Sequence, residues 1–138
     1  MGTRSTIALE YADGTVDQIY CHWDGYLNHN GTILQEHYQD PAIVQRMMEL
    51  GDMSSLGEAI GDKHDFNDRS NDCTFYGRDR GEDGTEANSF ASYKDYRANA
   101  QREEYNYILR TDGKWYVEFY GEFDGLLSEA LVREAQVA

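Results

Sequence analysis

Asp13-Gly14 stands between two runs of strand-favouring residues, and Asp112-Gly113 does the same towards the other end of the chain. An Asp-Gly pair between alternating apolar runs directs a tight β-hairpin, because glycine accepts the left-handed backbone such turns need and aspartate tolerates it. Before the first turn Ile7, Leu9 and Tyr11 point one way, and strand-favouring residues resume from Val16 to Trp23. This spacing predicts strands over 5–11 and 15–23 joined by a type I′ turn. Side chains alternate between faces along a strand, so Ile19, Cys21 and Trp23 fall on one face and Tyr20, His22 and Asp24 on the other. The second hairpin is predicted from 105–109 and 115–120, which flank Thr111-Asp112-Gly113-Lys114.

Helices are expected between and after the hairpins. Asp40-Pro41 supplies an N-cap followed by proline at the first helical position, where its missing N–H is not needed. Ile43, Val44, Met47 and Met48 then form one apolar stripe, Gln45, Arg46 and Glu49 face away, and Gly51 ends the helix. Ile33, Leu34 and Tyr38 suggest a short helix before it. Tyr93, Tyr96, Arg97 and Ala100 have helical spacing within a polar segment at 91–103, and Leu126, Leu127, Ala130, Leu131 and Ala135 predict a C-terminal helix. Residues 61–89, rich in Asp, Asn, Gly and Ser, read as loop interrupted by one short strand at 73–76. A chain of 138 residues with 40% hydrophobic content can bury one core. The expectation is a single α+β domain over 1–138, an antiparallel sheet built from the two hairpins with helices packed on one face.

Charge narrows the partners. Twelve basic residues against 26 acidic ones give a formal net charge of −14. Such a surface repels nucleic acid and anionic membranes and attracts cationic patches on other proteins. The acidity is dispersed, with only 87–117 near neutral, which points to an acidic folded surface rather than an acidic tail. No apolar run is long enough to span a bilayer and the first residues lack the apolar stretch of a secretory leader, so a cytoplasmic location is expected. Gly2 superficially matches a myristoylation signal, but no polybasic stretch follows it. Cys21 and Cys73 are too few for a disulfide scaffold and fit reduced thiols, leaving one bridge open.

Cys21-His22-Trp23-Asp24-Gly25-Tyr26-Leu27, with Ser5-Thr6-Ile7-Ala8 before it and Gly31-Thr32-Ile33-Leu34 after it, resembles a family of small proteins encoded by bacteriophages and prophages. Gly51-Asp52-Met53-Ser54-Ser55-Leu56-Gly57, Tyr76-Gly77-Arg78-Asp79-Arg80-Gly81 and Glu104-Tyr105 look like further parts of the same pattern, which covers most of the chain. The resemblance implies a phage setting and transfers no catalytic residue. Small accessory phage proteins commonly bind and redirect or disable host machinery, including nucleases and defence systems, so it also implies a host protein as partner.

No residue set carries a recognisable catalytic or metal-binding signature. Cys21, His22, Asp24, His29, His37, His64 and Cys73 offer donor atoms but no C-x-x-C, H-x-x-x-H or H-E-x-x-H spacing, so neither metal nor cofactor is expected. Cys21 shares its predicted face with Ile19 and Trp23, the setting of an inert buried thiol. His22 and Asp24, side by side on a strand, have the geometry for acid–base work, but a histidine held structurally by a carboxylate explains them as well. Arg78-Asp79-Arg80 on a loop can clamp a phosphate or carboxylate, or pin the loop through local ion pairs with Asp79, Glu82 and Asp83. Eleven tyrosines, several on predicted strands, suit a protein interface.

The leading expectation is an acidic binding protein that inhibits or modulates a host protein by covering a basic surface, its carboxylates imitating the spaced charges of a phosphate backbone. Candidate partner-binding residues are Tyr20, His22, Asp24, Tyr26, Arg78, Asp79, Arg80, Glu118 and Tyr120, and a homodimer is open. The rival is a binder or hydrolase of a small nucleotide-like anion using Arg78, Arg80, His22 and Asp24. A third reading is a virion or assembly accessory protein.

Overall fold

The computed structural model describes residues 2–68 and 71–137; Arg69 and Ser70, inside the stretch expected to be loop, lie outside the described residues. Strands β1 (Ser5–Glu10) and β2 (Val16–Cys21) are followed by a π-helical turn (Leu27–Gly31), α1 (Thr32–His37) and α2 (Pro41–Leu50). Then come β3 (Met53–Ser55), β4 (Thr74–Phe75), α3 (Tyr76–Arg80), β5 (Asn88–Phe90) and α4 (Tyr93–Asn99). The chain closes with β6 (Tyr105–Leu109), β7 (Trp115–Phe119), β8 (Phe123–Leu126) and α5 (Leu127–Val137).

Both Asp-Gly pairs turn the chain between antiparallel partners, β1 with β2 and β6 with β7. The turn type differs from expectation. Only the glycine of each pair has positive φ, Gly14 at 91° and Gly113 at 78°, whereas a type I′ turn needs two such residues. Gly14 N–H donates to Tyr11 O, and Tyr11 N–H to Thr15 O. This is a type I turn closed by a glycine bulge, repeated at Arg110–Lys114. Each aspartate fixes its turn by accepting from the backbone two residues on, Asp13 from Thr15 N–H and Asp112 from Lys114 N–H. Gly14→Val is expected to lower stability by about 1–2 kcal/mol, because a β-branched residue resists that φ; an unchanged urea midpoint would refute it.

The expectation of an antiparallel two-hairpin sheet is corrected in two respects. The sheet has eight strands, ordered β4-β3-β2-β1-β6-β7-β8 with β5 also on β2. It is mixed, because β1 pairs in parallel with β6 and β2 in parallel with β3. Parallel neighbours need long crossovers, and the α1–α2 and α2–α4 stretches of the chain supply them. A third hairpin, β7–β8, turns at Tyr120 (φ 53°) and Gly121 (φ 68°), where both residues are left-handed.

Helices also lie on both faces rather than one. The larger core gathers Ile7, Leu9, Ile19, Tyr107, Leu109 and Val117 beneath α1, α2 and α5, with Leu34, Val44, Met47 and Leu127 contributed by the helices. The opposite face carries a second cluster, Ala8, Val16 and Ile108 under Tyr96 of α4. Alternation along β1 requires this division: Ile7 and Leu9 face one layer and Ala8 the other, and a central strand must be covered on both sides. Helix α2 forms as its sequence dictates, with Asp40 accepting from Ala42 N–H at the N-cap and Gly51 following Leu50. Among the described residues no helix is long and apolar enough to cross a membrane.

Candidate functional site

Strand β2 stops at Cys21, two residues before Trp23. The chain continues alongside β3, where His22 N–H donates to Met53 O and Trp23 N–H to Ser54 O. It then reverses at Asp24, whose φ of 58° lies in the left-handed region that few residues other than glycine, asparagine and aspartate enter. Buried groups hold this reversal from within. Asn30, fully buried, donates from Nδ2 to Ser5 Oγ and to Trp23 O, and its backbone N–H donates to Asp24 O. The Tyr107 hydroxyl donates to Gly25 O at 2.6 Å, and Gly25 N–H donates to Thr3 O. Gly25 is required here, since a Cβ would lie 2.7 Å from Ser5 Cβ.

With its backbone fixed, the loop turns its large side chains outward. Trp23 is 43% exposed and Tyr26 41% exposed. Two open clefts meet at Asp24. One, of about 540 Å³, runs between Trp23, Ser54, Ser55, Phe66, Asp68 and Thr74; the other, of about 430 Å³, includes His29, Glu58 and Asp72. Asp24 and Ser55 line both, so the two form one branched depression carrying four carboxylates, and among the described residues no lysine or arginine lines it. Segments 21–27, 51–57 and 31–34 each contribute to its walls.

The wall to which residues 56–68, 71 and 72 contribute is held by an internal hub. Arg78 is only 11% exposed and spends all its donors inside the protein: Nε and one terminal nitrogen on Asp79, and the rest on the carbonyls of Ile60, Gly61 and Cys73. Asp79 is wholly buried through its side chain and also accepts from the backbone N–H groups of His64 and Phe75. Burial works to raise the Asp79 pKa, but the Arg78 guanidinium and the two backbone donors outweigh it and hold the carboxyl below its ordinary value. His64 is raised, because the carbonyls of Asp65 and, more weakly, Cys73 accept from its ring nitrogens and favour the doubly protonated form. Phe66 stacks on Tyr76, and Arg80 lies over both rings while pairing with Glu82.

These shifts set a pH dependence. A raised histidine contributes stability that is complete below its unfolded pKa of about 6.5 and is lost as pH rises through the folded value; the lowered Asp79 contributes stability lost as pH falls below about 4. Melting temperature is expected to decline from about pH 6 to about pH 8.5, and His64→Gln should flatten that decline. A slope equal in wild type and variant would remove His64 from the account.

The structure separates the sequence-derived candidates. Tyr20 and His22 are joined, Tyr20 Oη to His22 Nδ1 at 2.7 Å, and His22 meets Trp23 edge to face. Among the described residues no hydrogen bond joins His22 to Asp24, because the left-handed turn takes Asp24 out of the strand alternation. Asp24 and Tyr26 stand on the outward loop. Arg78 and Asp79 form the buried hub and Arg80 packs against Phe66, so this arginine pair does not present an open anion clamp. Glu118 bonds Arg102 and Asn106 on the α4 face. Tyr120 lies at the same end of the sheet as Asp24 but about three strand spacings away, roughly 14 Å. Cys21 and Cys73 are free and buried, and burial pushes the Cys21 thiol up to about 12, which removes both as nucleophiles at neutral pH.

Trp23, Ser54, Ser55, Phe66 and Asp68 were not recognisable as site residues from sequence. Trp23 fell on the buried face by strict alternation, and the one available signal was Asp24-Gly25, an Asp-Gly pair that interrupts the alternation. Comparison with family models, curated proteins and solved structures gave no match. Function has to be inferred from this site itself.

Proposed function

We propose that this chain is an acidic binding protein that covers a basic surface of a host protein, in keeping with its resemblance to phage-encoded accessory proteins, and that the branched depression at Asp24 is where it does so. The observation that carries the reading is the combination at one loop: exposed Trp23 and Tyr26 beside clefts lined by Asp24, Asp68 and Glu58, with no lysine or arginine among the described lining residues. A guanidinium suits such a place. Its planar face stacks on an aromatic ring and its edge donates to carboxylates. The rival small-anion reading loses its main feature, because Arg78 has no donor left to offer.

Titration with an arginine-rich peptide tests this, followed by backbone amide and indole NMR shifts. Changes are expected to concentrate at residues 22–29 and 54–72 and to weaken as salt rises. Asp24→Asn with Asp68→Asn should weaken binding about five- to thirtyfold, at roughly 0.5–1 kcal/mol per charge, while leaving the fold intact because asparagine tolerates the left-handed turn. Shifts scattered over the whole surface, or affinity indifferent to the double substitution, would sink the proposal.

A further inference from the structure

The sheet ends in β4 and β5 on one side and in β8 on the other, and the β4 and β8 edges are treated differently. At one, β4 is two residues long, buried, and followed at once by α3. At the other, β8 pairs only with β7 and leaves its outer backbone groups without a neighbouring strand. Edges of this kind are normally blunted by lysine, proline or a bulge. β8 reads Phe123-Asp124-Gly125-Leu126, and its single charge, Asp124, is consumed by an ion pair with Arg97 of α4.

Beside that edge runs a shallow, mostly apolar groove lined by Phe123 of β8 and by Ser128, Glu129, Val132 and Arg133 of α5. Val132 is 57% exposed, and the four α5 residues form one stripe pointing away from the core that Leu127 and Ala130 enter. The charges on the stripe are self-complementary. Glu129 and Arg133 lie four residues apart on either side of the helix position that a two-fold axis would occupy, so in an antiparallel helix pair each meets the other's opposite.

We infer that β8 and this stripe of α5 form a two-fold interface with a second copy of the chain, β8 pairing antiparallel with its counterpart and Val132 packing across the axis. The sheet then runs continuously through both copies. Two Asp24 sites lie nine strand spacings apart, roughly 40 Å, which makes the assembly bivalent and lets two weak contacts act together on an extended basic partner. The interface does not depend on the Asp24 proposal.

Salt separates the two associations. Each copy carries −14, so screening of long-range repulsion strengthens self-association, whereas binding of a basic partner weakens. Sedimentation equilibrium is expected to give a mass approaching twice 15.9 kDa, more readily at high salt than at low. Val132→Glu should return the monomer. Glu129→Arg should do the same by setting arginine against Arg133, and Glu129→Arg combined with Arg133→Glu should restore the dimer. All three positions are exposed, so far-UV circular dichroism and melting temperature are expected to stay near wild type and confirm that each variant is folded. A wild-type mass that remains monomeric at both salts, or a folded double reversal that stays monomeric, would overturn the interface.

Discussion

Arg78→Ala is expected to cost about 3–5 kcal/mol, the usual penalty for removing one partner of a buried ion pair. The loss has two parts. Asp79, buried to 0% exposure through its side chain, keeps its two backbone donors and the His64 ring at 3.6 Å, which balances its charge only when protonated. The carbonyls of Ile60, Gly61 and Cys73 lose their guanidinium donors as well, and unsatisfied buried acceptors carry their own desolvation cost. For a chain of this length 1 kcal/mol corresponds to about 3 °C in melting temperature, so thermal unfolding should shift down by about 10 °C or more. Arg78→Lys should recover only part of this, because one ammonium cannot reach two carboxylate oxygens and three carbonyls in the guanidinium's planar pattern. The outcome separates two meanings of the same residue. An arginine that existed to hold a ligand would leave stability unchanged when removed; one that staples Ile60, Gly61 and Cys73 to α3 cannot. A melting temperature within a degree or so of wild type would mean the hub does not hold that wall of the cleft.

Local chemistry made much of the fold legible. Asp-Gly pairs located both predicted hairpins, and the cap, stripe and terminal glycine of α2 placed it at 41–50, where it forms. Helices α4 and α5 follow the periodicity of Tyr93, Tyr96, Leu127 and Ala130. Pairing between distant strands was not legible, because β1 against β6 depends on contacts a hundred residues apart in sequence, such as Thr6 Oγ1 donating to Asn106 Oδ1. Nor were β3, β5 and β8, which are three or four residues long and exist because a neighbour offers an edge rather than through any propensity of their own. The second covered face follows from the same gap: Ala8, Val16 and Ile108 read as ordinary alternation until β1 is known to be central. At the site, Asp24 and Tyr26 were found for their chemistry, while Trp23 was assigned inward by an alternation that ends at Cys21. Arg78 was recognised as important, and whether it faces solvent or the interior was set by Ile60, Gly61 and Cys73, which no local pattern brings together.

Gly51→Ala is expected to lose about 3 kcal/mol or more, well beyond the cost of an ordinary helix-terminal glycine. Its sequence role as the residue ending α2 is real: φ is 85°, and its N–H donates to Met47 O and Met48 O. Two further constraints act on it. With ψ at −157° it occupies a region essentially restricted to glycine, and a Cβ would sit 2.2 Å from Thr85 O. That carbonyl cannot move away freely, because it accepts from Asp52 N–H at 2.8 Å. An added methyl therefore either breaks this bond or displaces the turn leading into β3. The carboxyl of Asp52 accepts from Tyr20 N–H, and Met53 pairs with Cys21, so displacement passes directly to Ser54 and Ser55 in the wall of the Asp24 depression. Gly84→Ala is the matched control: its φ of 76° is also left-handed, but a Cβ there meets nothing within 4 Å. It should cost about 1 kcal/mol, from backbone conformation alone. Urea unfolding of the two variants sets Gly51's glycine-only backbone region and the close approach of Thr85 together against positive φ in open space, and equal losses would show that positive φ alone is all that Gly51 supplies. If the crowding is real, Gly51→Ala should also broaden the amide resonances of residues 52–55 and weaken the arginine-peptide response at Asp24, while Gly84→Ala leaves both as they are.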